Sequence, residues 1–405
     1  GTDAMEIRWL TRSAGPGSED QFVVLYRDGL RWLRARDVEA RPTGYDDRVV
    51  HVATIDGLAF GSTYPYVVVH LRARDVVSVY RGELPTSLEP GDRTPFSFVA
   101  YGDSADPLDI NPFRSVQGRI LESDAAFALL LGDNVYVVGT PEELDARFRR
   151  AISPEATDWR SGRVDYATYG NHDLGFDAGR PSEQLFGHPG AENLPPPETP
   201  ARNYSFDYGM VHIATFDSGA KSDPARLAAL TEWLGADLAA SDAIWKVVFT
   251  HYPVAGAPDK PAQPGDGYFD RLIPALVDAG ADLLLVGDSH TFGWTLPLTG
   301  VDGTEAEFVP DPDDRYDQGR GVVQVIAGTG GRFLRAGSFT GYPFVARGWS
   351  LDTDPQAEHG FALVEVTEHS LTVSYVAASD GRVLGSFAIV RTAGLTQAGD
   401  HRPVD

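Results

Sequence analysis

The chain contains no cysteine. That excludes disulfides, thiolate metal sites and cysteine nucleophiles, and it leaves carboxylate, imidazole, amide and phenol as the groups able to hold a metal. Lysine is almost missing too, with Lys221, Lys246 and Lys260 the only three. Positive charge is outweighed, since the formal net charge is -24. This argues against a general binder of nucleic acid or anionic membrane, because such surfaces are basic. No apolar run approaches the roughly 20 residues of a membrane helix. Gly1 to Met5 show neither the basic nor the apolar stretch of a signal peptide. What is present is a chain of 405 residues with ordinary apolar content, more than one core accommodates and suited to two domains.

The first ninety or so residues read as short strands. Glu6 to Leu10, Gln21 to Tyr26, Val49 to Ile55 and Tyr64 to Leu71 are β-rich runs separated by Gly, Pro and Asp turns. Seven or so such strands predict a β-sandwich over 1–91. The stretch from Leu58 to Tyr66 resembles the turn before a late strand in fibronectin type III-like domains, where a tyrosine anchors the corner. The polar, Pro-rich segment Leu84 to Pro95 reads as a linker. Beyond it, apolar strands alternate with helical spacing over Phe113 to Asp124, Pro141 to Ile152, Pro224 to Ala240 and Tyr268 to Ala279. That alternation predicts an α/β domain over 92–393, followed by a tail, 394–405. Asp302 to Gly319 reads as a long acidic loop.

Five apolar runs end alike. Phe96 to Gly102 leads into Asp103, and Ala126 to Gly132 into Asp133. Tyr166 to Gly170 leads into Asn171 and His172. Trp245 to Thr250 leads into His251, and Asp282 to Gly287 into Asp288 and His290. In open α/β sheets, ligands bind beyond the carboxyl ends of strands, and a glycine there permits a sharp turn. One Gly-Asp after a strand is a common turn. Five strand ends that all carry metal-competent groups are costly to bury unpaired, and a pair of bound cations satisfies them together.

The blocks Gly102-Asp103, Gly132-Asp-Asn-Val-Tyr136, Gly170-Asn-His-Asp173, Val248-Phe-Thr-His251 and Gly287-Asp-Ser-His290 resemble the five ordered blocks of the calcineurin-like metallophosphatases. Tyr136 in the second block, with Tyr204 to His212 and Gly328 to Gly331, points to the purple acid phosphatase branch. The resemblance implies a fold of two packed mixed β-sheets flanked by helices, after an N-terminal fibronectin type III-like sandwich. It implies a phosphate ester as the small-molecule substrate, two metal ions and a secreted or cell-surface location, and it leaves the oligomeric state open. Asp133 would bridge the metals. Asp103, Tyr136 and His290 would complete a site for Fe(III), coloured by the Tyr136 phenolate. Asn171, His251 and Asp288 would complete a site for a divalent ion (Fe, Mn, Zn, Mg or Ca). A metal-held hydroxide would attack phosphorus, with His172 stabilising phosphate oxygen or protonating the leaving group. Asp173 would orient His172 or cap the next segment.

Three positions depart from the family pattern. Asp288 stands where the last block has its first histidine, and it adds a negative charge that disfavours a dianionic monoester relative to a diester. The substrate-contacting histidines found after the fourth block in plant relatives are replaced by Tyr252 to Lys260. Lys260 reads as an exposed loop lysine, though one able to reach phosphate. Ala105 replaces a glycine. His212 reads as a core histidine, His188 as a loop residue at the cleft margin, and Arg332 as a weak phosphate contact. The expected activity is phosphomonoester hydrolysis. A phosphodiesterase or specialised phosphoesterase is the alternative, and a catalytically decayed, metal-stabilised binding protein is the alternative of another class.

Overall fold

A computed structural model describes residues 3–12, 20–43, 47–150, 164–190, 193–260, 264–265, 267–311 and 313–391. The predicted tail, 394–405, lies outside them, as does the end of the helix expected to reach Ile152. The N-terminal strands Asp3–Arg12, Arg48–Leu58 and Glu39–Pro42 pair in that order as one sheet. Arg31–Arg34, Asp20–Asp28, Thr63–Arg72 and Asp75–Pro85 form a second, four-stranded sheet. Alternate residues turn inward, so Ile7, Val24, Ala53, Ile55, Tyr66 and Val68 share one small core. The Tyr64 hydroxyl accepts the Ala59 N–H at 2.9 Å and pins the corner before its strand.

The rest of the chain is built on two seven-stranded mixed sheets. In the first, Val164–Thr168, Phe127–Leu131 and Phe96–Tyr101 run parallel, and Gly360–Val366 continues the sheet antiparallel. In the second, Val211–Thr215, Trp245–Phe249, Leu283–Val286 and Val323–Ala327 run parallel. The sheets face each other across one core in which Phe98, Leu129 and Leu131 meet Val247, Phe249, Leu285 and Phe292. The opposite faces are covered as well. Ala128 and Leu130 meet Phe113, Val116 and Ile120 of helix Asn111–Leu121. Val248 and Leu284 meet helices Pro224–Ala240 and Tyr268–Asp278. Burial on both faces is why these strands read as unbroken apolar runs.

Two stretches differ from expectation. The acidic segment is partly structured, because Leu298–Asp302 and Glu305–Phe308 form a hairpin whose Gly303 has φ 61, a backbone that Asp-Gly sequences supply. A further short helix, Arg180–Phe186, starts with proline in its first turn.

The N-terminal sheet is joined to the α/β region by side chains. Val50 and Val52 pack with Val135, Leu144 and Leu185 in one apolar cluster. Arg48, buried, reaches Glu142 and Asp145 at 3.2 Å each. Arg8 donates to the Gln184 carbonyl at 2.6 Å.

Candidate metal centre

The strand ends converge where the two sheets meet. Gly102 N–H donates to Ala327 O at 2.9 Å, which ties the first sheet's loops to the second, and Asp103 N–H donates to Gly132 O at 3.1 Å between neighbouring loops of the first. The left-handed turns fall on the aspartates: Asp103, Asp133 and Asp288 have φ of 57°, 49° and 62°. Aspartate tolerates this region better than most residues, at some strain. At Gly170 and Gly287 the glycine is needed for close approach, contrary to the sharp-turn reading. A Cβ on Gly170 would overlap Asp133 Oδ1, and one on Gly287 would lie 2.7 Å from Leu131 O.

The convergence brings Asp103, Asp133, Tyr136, His251, Asp288 and His290 together, all buried. Tyr136 Oη lies 3.1 Å from both Asp103 Oδ1 and Asp133 Oδ2 and 3.5 Å from His290 Nε2. His251 Nε2 lies 3.5 Å from Asp133 Oδ1 and 3.7 Å from Asp288 Oδ1. Both histidines are oriented from behind. His251 Nδ1 donates to Leu131 O at 2.9 Å and His290 Nδ1 to Phe333 O at 2.8 Å, so each Nε2 faces the carboxylates. Asp103, Asp133 and His251 each offer an atom within 4.8 Å of the others.

The electrostatics of this cluster call for a cation. Burial, with Asp103 and Asp133 adjacent, raises the Tyr136 phenol well above its ordinary value. Burial also raises Asp103, with His290 pulling the other way. Burial alone would lower His251, but Asp133, Asp288 and Asp103 outweigh it and raise the imidazole to about 9. Asp103 Oδ2 and His251 Nε2 are buried without a hydrogen bond. Unpaired atoms of this kind are costly in a protein interior, and the donor set of carboxylate, imidazole and phenol suits metal ions. The residues therefore fit the metal ions that the resemblance to metallophosphatases implies.

The remaining predicted residues stand at the rim. Asn171 is exposed, and the Tyr252 hydroxyl donates to its Oδ1 at 3.3 Å. His172 is 31% exposed, with Nε2 3.8 Å from Asp133 Oδ2 and Nδ1 donating to Val137 O at 2.5 Å. Asp173 neither orients His172 nor caps a helix. It turns inward and accepts the N–H groups of Gly170 at 2.9 Å and Asn134 at 3.1 Å. Burial, with Asp133 nearby, raises it to about 7. Lys260, expected in an exposed loop, donates to Asp288 Oδ1 at 2.9 Å. Arg332 lies 4.5 Å from the Tyr136 ring centroid and pairs with Asp106 at 2.6 Å, so it backs the tyrosine and is held away from the opening. His212 is bonded to Asp207 and Asp237 at 2.7 and 2.9 Å, far along its strand from the centre. His188 sits beside the N-terminal sheet, against Tyr204.

Sequence reading missed Glu143. Its carboxylate accepts the N–H groups of Val138, Gly139 and Thr140 at 3.1, 2.8 and 2.9 Å and cradles the loop that follows Tyr136. The Glu143 N–H donates back to Thr140 Oγ1 at 3.2 Å. Thr140-Pro-Glu-Glu143 is thus a capping box, a signal that was present in the sequence.

The chain matches the Calcineurin-like phosphoesterase family over residues 99–292, which span all five blocks. It matches the Iron/zinc purple acid phosphatase-like protein C family over residues 321–386. The chain carries a calcineurin-like phosphoesterase domain. As such it is a metal-dependent hydrolase with a purple acid phosphatase-like C-terminal region, and the family implies two metal ions. Among solved structures it is similar to a purple acid phosphatase from yellow lupin (Lupinus luteus) seeds, with a TM-score of 0.71 and 17% identity over 96% of this chain and 72% of that one. It is also similar to the anchor protein of the inner membrane complex of Plasmodium, with a TM-score of 0.50 and 14% identity over 73% of this phosphoesterase and 89% of that chain. No curated protein sequence matches it. No helix among the described residues is long and apolar enough to cross a membrane.

Proposed function

We propose that this phosphoesterase hydrolyses small phosphate monoesters at a dinuclear centre in which Asp133 is shared between the two ions. Asp103, Tyr136 and His290 would hold one ion, and Asn171, His251 and Asp288 would hold the other. The observation that carries this reading is the buried cluster around Tyr136 Oη, in which Asp103 Oδ2 and His251 Nε2 lack any hydrogen bond. Iron(III) suits the oxygen-rich first set and a divalent ion the second. When bound, such a pair supplies charge stabilisation for in-line displacement and a water acidic enough to attack near neutral pH. His172, fixed through Nδ1 to Val137, presents Nε2 toward the opening, where it can hold a phosphate oxygen or give a proton to the leaving alcohol. The two-sheet N-terminal region supports reading 1–91 as a fibronectin type III-like domain ahead of the catalytic domain, 92–393. A secreted or cell-surface location accompanies this reading through the family resemblance.

The test is metal content and visible spectrum on protein purified without added metal, together with hydrolysis of p-nitrophenyl phosphate and bis-p-nitrophenyl phosphate. Two metals per chain including iron, a broad visible band and faster monoester hydrolysis are the expected result. Preference for the diester replaces the monoesterase reading with a diesterase one. One metal or none after resupply ends the dinuclear reading.

His172→Gln tests the role given to His172. The variant should keep its metals and lose on the order of 10²–10⁴ in kcat, and unchanged turnover would remove His172 from the chemistry.

A further inference from the structure

The carboxylates, the phenol and both imidazoles of the centre are buried, so a phosphate ester reaches them from the exposed rim. The opening is where Asn171 is exposed, His172 is 31% exposed and Lys260 is 34% exposed. Lys260 places its ammonium 2.9 Å from Asp288 Oδ1, the same oxygen that lies 3.7 Å from His251 Nε2. A second lysine stands close by. Lys221 Nζ is 3.4 Å from the ring centroid of Tyr252, whose hydroxyl is bonded to Asn171. Two of the three lysines in a chain of net charge -24 therefore flank this one opening.

From this arrangement we infer that Lys260 is a specificity-determining residue of the phosphoesterase, binding a non-bridging phosphate oxygen and selecting dianionic monoesters over monoanionic diesters. The inference rests on the dinuclear reading above and deepens it. The ion pair of Asp288 with Lys260 is neutral overall, as a single histidine would be. The negative charge introduced by Asp288 is therefore cancelled locally, and the penalty on a dianion that Asp288 alone would impose disappears. An ammonium has three donors and no acceptor. One N–H on Asp288 leaves two for solvent or a ligand, and the side chain is 34% exposed. Asp288 holds the amine in place, so little side-chain freedom is lost on binding. Lys221 adds long-range attraction for the same charge from the far side of Asn171.

The experiment is calorimetric titration of inorganic phosphate into metal-loaded wild type, Lys260→Met and Lys260→Arg, with metal content measured on each sample. Monoester and diester kcat/KM are then taken on the same preparations. In Lys260→Met, two metals are expected, with phosphate binding weakened by about tenfold or more, as the loss of one charge-assisted hydrogen bond implies. Monoester kcat/KM should fall by at least that factor and diester kcat/KM by less, while Lys260→Arg keeps most of the phosphate affinity. Unchanged phosphate affinity in Lys260→Met with two metals retained overturns the role of Lys260 and leaves the dinuclear reading intact. Loss of a metal in Lys260→Met also overturns it, since the lysine would then serve only to hold Asp288. Wild type that binds no metal overturns the dinuclear reading and this inference with it.

Discussion

Asp133 separates two unlike sides of one centre. On the first, Asp103, Tyr136 and His290 are at most 4% exposed. Arg332 lies on the tyrosine ring, and Glu143 ties down the loop behind it. On the second, His251 is equally buried, yet Asn171 is at the surface and Asp288 is shared with a partly exposed lysine. The first side is built like a protein core, and the second like a binding site with one wall missing. On the proposed reading, holding metal and meeting substrate are divided between the sides. Change at Asp288 and beyond His251 would alter what is bound, and change around Tyr136 would alter whether a first ion is held at all.

The largest effect is expected at the shared residue. Asp133→Asn should empty both sides and lower kcat by at least about a thousandfold, with elemental analysis showing the loss of both ions. If one ion stays, Asp133 is not shared. Gly170→Ala is expected to damage the second side selectively, because its methyl would overlap Asp133 Oδ1, the oxygen that faces His251, and would lie 2.6 Å from His251 Nε2. Misplacement on this scale costs roughly a hundredfold, and one ion should remain. Tyr136→Phe acts on the first side alone. The visible band should vanish while kcat falls by about a hundredfold, the low end for loss of one electrostatic partner. A band that survives would remove the phenolate from the first ion. The smallest effect belongs to Ala105, at φ 57 beside the first side. Ala105→Gly should relieve about 1 kcal/mol of backbone strain, read as a higher urea midpoint with activity unchanged within twofold. No gain would mean that the Ala105 side chain contributes packing worth as much as the strain.

Much of this architecture was legible because its causes are local. Strands buried on both faces must be apolar throughout, so each ended visibly where Asp103, Asp133, Asn171, His251 or Asp288 began. The N-terminal strands announced themselves by alternation and turn residues. What stayed hidden depends on partners distant in sequence. Nothing near Lys260 reveals that it meets Asp288, nor anything near Arg332 that it stacks on Tyr136. Asp173 was misread because its inward turn is set by the N–H groups of Gly170 and Asn134, which only the assembled loops present. The glycines were identified correctly by position but for an incomplete reason, since crowding by Asp133 and Leu131 exists only once two sheets have met. The hairpin around Gly303 and the capping box from Thr140 to Glu143 are different cases. Their signals were local and present.

Val135, adjacent to Tyr136, is covered on its other side by Val50 and Val52 from the N-terminal sheet. An expression boundary drawn at the linker would therefore cut through the support of the catalytic loop. The C-terminal fragment would carry an uncovered apolar surface beneath the residue expected to colour the enzyme, along with Glu142 and Asp145 stripped of Arg48. In engineering terms, the leading module is a splint, and grafting the catalytic part elsewhere requires replacing that splint as well.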